Sequence, residues 1–233
     1  MKLSIMQPYF LPYIGYFQLI AASDMFIVYD NIKYTKKGWI NRNRMLRDGE
    51  PATFSLPLKK ASDSLDVRER ELSADFDPGK LLNQFDTAYR KAPHFNNTWP
   101  VIEEILRHQD RNLFGFLHHS IVRICSHLGI TTEIRTSSKI EIDHGLKNQD
   151  KVLALCGAAG ASLYVNPIGG MELYSKDDFR AKGLDLRFLR SKELVYPQFR
   201  ESFVPWLSVL DVMMFHDLPA ISDYLNVGYT LGG

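Results

Sequence analysis

The sequence predicts an α/β protein, with a mostly parallel sheet, flanking helices and a helical insertion. Two observations carry that prediction. Short strand-like runs alternate with helical patterns at the start and again over the second half of the chain, the order that βαβ units require. The run Met25–Tyr29 is apolar throughout rather than alternating, as in a strand covered on both faces. With 233 residues, 45% of them hydrophobic, the chain can bury a full core as a single domain, 1–233, needing neither disulfides nor a structural zinc. Cys125 and Cys156 lie in apolar helical sequence, which suits a reducing cytoplasm.

Taken in order, Leu3–Met6 reads as the first strand, 7–13 as a proline-broken turn, 15–23 as helix and 25–29 as the second strand. A basic and polar stretch over 33–44 follows. The strand-like run 52–58 and the charged segment 63–71 read as loops and short strands. At Asp77 the period becomes helical: Asp77 caps, Pro78 fits the first turn, and Leu81, Leu82, Phe85 and Tyr89 share a face. Helical patterns over 100–108 and 112–128 continue it, the second stopped by Gly129, so 77–129 forms an all-helical insertion or layer. Alternation then resumes with strand 131–136, helix 149–159, strand 162–166, helix 175–181 and strand 184–189. Helices over 207–215 and 220–225 close the domain.

The net charge of +1 gives no whole-molecule field to draw the protein onto DNA, RNA or a membrane surface, so any anion affinity is local. No run approaches the ~18 apolar residues of a membrane span, and the opening residues reach Gln7-Pro8 too soon for a signal peptide. The expectation is a cytoplasmic protein with no membrane span and no DNA partner.

Three constellations carry candidate chemistry. The first, Gln7-Pro8-Tyr9-Phe10-Leu11-Pro12-Tyr13-Ile14-Gly15-Tyr16, lies between the first strand and first helix, where parallel sheets hold ligands. A glycine there allows close ligand approach and the helix N-terminus offers N–H groups to a phosphate; a turn that merely packs aromatic side chains is the alternative. The second is the basic stretch with Lys33, Lys36, Lys37, Arg42, Arg44 and Arg47 interleaved with Tyr34, Trp39, Asn41 and Asn43. Its cations suit phosphates and its aromatics suit a base or sugar, while a solvated charged hairpin is the other reading. The third is Asn166-Pro167-Ile168-Gly169-Gly170 after a predicted strand, with Arg135–Lys139, including Ser138, in the same kind of place.

The first of these constellations, together with Asp24–Asp30, Trp39–Arg44, Asn166–Gly170, the turn Tyr196-Pro197-Gln198 and Leu207–Asp211, resembles the WbqC-like family of bacterial proteins along essentially the whole chain. The resemblance implies a role in making bacterial surface polysaccharide, the O-antigen of lipopolysaccharide in particular. It brings Tyr196 and Gln198 into the candidate site, with no settled reaction. The first turn is also similar in spacing to the nucleotidylyltransferases, of HUP-like fold, in which two His flank a Gly. Tyr13 and Tyr16 stand at those places, and tyrosine cannot act as an imidazolium.

The reading that follows is a transferase or ligase attaching an acyl or aminoacyl group to a nucleotide-linked amino sugar. Gln7, Tyr9, Tyr13, Gly15 and Tyr16 frame the pocket; Lys33, Lys36, Trp39, Arg42, Asn43 and Arg44 hold phosphates. Asn166, Gly169 and Gly170 contribute from a neighbouring strand. Asp30, at the carboxyl end of the second strand, or His94 would deprotonate the acceptor amine. ATP is the candidate cofactor, through an acyl-adenylate. The rival reading is a non-catalytic nucleotide-sugar-binding or assembly protein, favoured by the lack of a serine-hydrolase elbow, a Walker loop or a paired metal motif among the seven histidines. A homodimer stays open.

Overall fold

The computed structural model describes residues 1–232. Six strands share one sheet in the order β5 (Glu133–Thr136), β2 (Met25–Val28), β1 (Lys2–Met6), β6 (Leu163–Pro167), β7 (Asp185–Ser191) and β8 (Tyr229–Gly232). The first five run parallel and β8 pairs antiparallel to β7. Counted by appearance along this sheet the order is 3-2-1-4-5-6, the doubly wound arrangement. The predicted α/β class is the observed one.

β2 shows why the sheet is covered on both faces. Phe26 and Val28 pack on one side with α1 (Ile14–Ala21), α7 (Val209–Phe215) and α8 (Leu218–Val227); Met25 and Ile27 pack on the other with α5 (Asn148–Ala158) and α6 (Lys176–Ala181). Between β2 and β5 the chain inserts an antiparallel hairpin, β3 (Arg42–Arg47) and β4 (Glu50–Ser55), and three helices, α2 (Pro78–Tyr89), α3 (Phe95–Leu106) and α4 (Leu113–His127). These extend the larger of the two cores, with Phe54, Phe85, Phe116 and Ile105 fully or almost fully buried.

Helix ends follow the expected chemistry: Asp77 Oδ1 accepts from Gly79 N at 2.8 Å, Asn112 Oδ1 from Gly115 N at 3.0 Å, and Gly129 leaves α4 at φ +70°. Three expectations change. Arg42–Arg44 lie in β3 rather than a loop. Helix α3 starts five residues before Pro100, which sits inside it and leaves the Asn96 carbonyl without a helical donor. Buried Thr98 Oγ1 donates to Met213 O at 2.7 Å and holds that first turn against α7. The edge strand β8 was not expected at all.

The chain leaves β1 toward β2 and β5, then crosses back to β6 and proceeds the other way. The reversal falls between β1 and β6, which are paired only at Lys2–Leu163 and Leu3–Tyr164. Beyond those pairs the two strands part toward their carboxyl ends, and an open α/β sheet binds ligands in such a crevice.

Candidate functional site

A cleft of about 630 Å³ opens at that point, a volume in the range of small-molecule sites. Its walls come from the β1–α1 turn, from Tyr29 and Ile32 after β2, from Trp39, Asn43 and Arg44 around the start of β3, from the segment after β6, and from Trp206 ahead of α7.

The β1–α1 turn owes its shape to burial and to a strained residue. Phe10 and Leu11 are fully buried, while Tyr9 and Tyr13 line the cleft. Leu11 adopts φ +44°, a left-handed conformation costly for a residue with a Cβ. The turn is held there from two sides: Asn43 Nδ2 donates to Leu11 O at 2.7 Å and Phe10 O at 3.2 Å, and Ser208 Oγ donates to Leu11 O at 2.7 Å. At Gly15 a Cβ would meet the Tyr13 ring and lie 2.6 Å from Ser191 Oγ, so glycine is needed for Tyr13 to sit where it does. Gly170 plays the same part for the Asn166 amide. The α1 N-terminus carries no side-chain cap and opens on the cleft at Tyr13 and Gly15.

Five tyrosines face this space: Tyr9, Tyr13, Tyr16, Tyr29 and Tyr174. Gln7 Nε2 donates to the Tyr9 hydroxyl at 2.7 Å, and the Tyr16 hydroxyl donates to Gln7 O at 3.1 Å. Burial raises the hydroxyl pKa of all five, so they are neutral hydrogen-bonding groups at physiological pH.

Among the described lining residues Arg44 is the one charged group. Its guanidinium lies 5.4 Å from the Trp39 ring centre, and one Nη donates to Trp206 O at 3.2 Å. Its Nε is buried without a partner, and among the described residues no carboxylate forms an ion pair with it. Trp206 is 64% exposed and held at φ +59°, edge-on to Tyr13 at 6.2 Å, and Trp39 is 42% exposed. The cleft thus presents one cation without a counter-charge between aromatic faces, and its lining holds no carboxylate and no imidazole.

Eleven residues expected in the site line it: Gln7, Tyr9, Tyr13, Gly15, Tyr16, Trp39, Asn43, Arg44, Asn166, Gly169 and Gly170. The rest sit elsewhere. Lys36 pairs with Asp63 at 2.8 Å, exposed Lys33 lies in a backbone β-bridge with Asp66 outside the cleft lining, and Arg42 spends its guanidinium on the carbonyls of Gly38 and Lys37. Of the six cations in the basic stretch only Arg44 reaches the cleft. Asp30 is buried, with both carboxylate oxygens taken by Ser137 and Ser138, Ser138 Oγ at 2.5 Å. Burial raises its pKa, but the hydrogen bonds from Ser138 and Ser137 outweigh that and leave it lowered. His94 sits at the position just before α3 without making a side-chain cap bond, beside a separate 270 Å³ cavity that His127 and His216 also line. Tyr196 and Gln198 bind Asp211 and do not line the cleft. Asp211 turns inward, and Ser208 alone caps α7.

Sequence reasoning missed Trp206, Tyr29 and Tyr174 as site residues. Trp206 had a signal, a lone tryptophan after a proline just before the Leu207–Asp211 element.

These features define a class: a doubly wound α/β protein with a cleft at the switch point, lined by aromatic side chains and one cation. The chain belongs to the WbqC-like protein family, whose model matches residues 7–223. It is 29% identical to the uncharacterized protein Rv1507c of Mycobacterium tuberculosis over 232 residues, 97% of each chain. No solved structure matches the sequence. Among the described residues no helix is long and apolar enough to cross a membrane, and no cluster of three or more His, Cys, Asp or Glu is placed to hold a metal ion.

Proposed function

We propose that this protein recognises a nucleotide-linked amino sugar in the switch-point cleft, as a cytoplasmic component of bacterial surface-polysaccharide, O-antigen, synthesis. The observation that carries the reading is Arg44, unpaired and half-buried among Trp39, Trp206 and the tyrosines. A diphosphate meets the guanidinium and the free N–H groups of α1; base and sugar lie against the indole and phenol faces. The pathway rests on the resemblance to the family; the ligand chemistry rests on the cleft.

Recognition is better supported than catalysis. An acceptor amine needs a base, and the cleft lining offers a guanidinium and phenols with raised pKa, while Asp30 and His94 lie outside it. Transfer of an acyl or aminoacyl group, with ATP forming an acyl-adenylate, is the second reading. It is favoured by the uncapped α1 N-terminus, where a carbonyl oxygen gaining charge would find N–H donors.

A thermal-shift panel of nucleotides and nucleotide sugars tests this. A ligand at 100 times its dissociation constant adds about 2.7 kcal/mol to the folded state, and Arg44→Gln is expected to cut that stabilisation by about half or more while leaving the unliganded midpoint within about 2 °C. A shift by a nucleotide sugar that Arg44→Gln leaves undiminished sinks the assignment of the anion site, and no shift with any compound sinks the ligand class. Product formed with an acyl donor and ATP would promote the second reading.

A further inference from the structure

The segment 192–208 carries Trp206 to the cleft without regular secondary structure of its own between β7 and α7. It is tied to the core at one buried carboxylate. Asp211 is fully buried and has no cationic partner within 4 Å; its Oδ2 accepts from the Tyr196 hydroxyl at 2.5 Å and from Gln198 Nε2 at 2.8 Å. Its Oδ1 accepts from the Tyr89 hydroxyl at 2.9 Å, and that same hydroxyl accepts from Leu46 N of β3 at 2.8 Å. Gln198 then closes the segment on itself, its Oε1 accepting from Val204 N at 2.8 Å. Two residues on, the Trp206 carbonyl receives Arg44 and Ser208 N donates to Arg44 O at 2.9 Å. The chain of contacts therefore runs without a break from Asp211 to the cleft's one cation and its most exposed aromatic wall.

We propose that Asp211 is a positioning residue which, through Tyr196 and Gln198, holds Trp206 and Arg44 in the geometry that binds a diphosphate-bearing ligand. This rests on the reading of the cleft as the ligand site. It gives Tyr196 and Gln198 a role that contact with ligand would not, because neither lines the cleft. A buried carboxylate surrounded by three neutral donors costs the fold desolvation, and orientation of the segment is what the network supplies in return.

Asp211→Asn risks the fold, so the test uses Tyr196→Phe, which removes one hydroxyl and keeps the ring on Phe203 and His216. Backbone hydrogen exchange of a peptide covering 199–207 is expected to quicken about tenfold, with α4 peptides unchanged. The dissociation constant for uridine diphosphate is expected to rise about tenfold, and Tyr196→Phe is expected to cost less in the Trp206→Ala background than in wild type, the remainder acting through Arg44. Additive losses in that cycle, or unaltered exchange over 199–207, overturn the proposal. If wild type does not bind the probe, the ligand reading fails, and the exchange result still decides whether Tyr196 and Asp211 order the segment.

Discussion

Asp30→Asn separates a structural carboxylate from a catalytic base. In the native protein Asp30 lies two residues past β2 and accepts from Ser137 Oγ at 2.8 Å, Ser138 N at 2.9 Å and Ser138 Oγ at 2.5 Å, with an Arg68 nitrogen at 4.0 Å. These bonds tie the carboxyl end of β2 to the turn that follows β5. The amide keeps one acceptor oxygen for the first two bonds, loses their charge assistance, and places an NH2 group against the Ser138 hydroxyl. Hydrogen bonds to charged groups contribute about 1.5–3 kcal/mol each, and neutral ones about half that, so the expected loss is about 2–3 kcal/mol. For a chain of this size that is a fall of about 4–12 °C in melting temperature. The sign with pH follows from the lowered pKa: the carboxylate's contribution is fully present above the unfolded value and is lost as pH falls through the folded one. The gap between wild type and Asp30→Asn, measured by urea denaturation, is therefore widest near neutrality and closes below about pH 4. An unchanged melting temperature and a gap independent of pH would refute the reasoning, and selective loss of a turnover with stability intact would restore Asp30 as a base.

Two further outcomes follow from the same contacts. Arg42→Ala, which removes a guanidinium already bound to the Gly38 and Lys37 carbonyls, is expected to change affinity for uridine diphosphate less than about twofold, whereas Arg44→Gln weakens it about tenfold or more, increasingly so at low salt; isothermal titration at two ionic strengths compares them. Burial pushes the thiols of Cys125 and Cys156 up to about 12, so neither is expected to react with an aromatic disulfide reagent until the protein is unfolded in denaturant. A thiol titrated rapidly in native buffer would mean that α4 or α5 opens locally.

Much of this architecture was legible because its causes are local. Met25–Val28 is apolar on both faces since both faces are covered, and Asp77, Asn112 and Gly129 mark helix ends through bonds or backbone conformations that span a few residues. Where a nonlocal contact decides, the reading failed. Pro100 signals a helix start, yet α3 begins earlier because Thr98 is held by Met213, 115 positions away. The strand β8 exposes most of its residues and bears no alternation to detect; its pairing with β7 creates it. Cations close together in sequence looked like one phosphate site; Arg42 and Arg44 share a face of β3 and both lie over Trp39, but Arg42 is drawn onto the Gly38 and Lys37 carbonyls while Arg44 reaches the Trp206 carbonyl.

The sequence by itself determined the α/β class, the placing of the first turn after the first strand, and eleven of the residues that meet in the cleft, because these follow from periodicity, from position after a strand and from the clustering of basic and aromatic side chains. The tertiary structure decided that β1 and β6 part at the switch point, that Asp30 is sequestered by Ser137 and Ser138, and that Trp206 faces Arg44 across more than 160 positions of chain. Those are consequences of strand order and burial, which bring distant side chains together and spend their hydrogen bonds in ways no local pattern encodes.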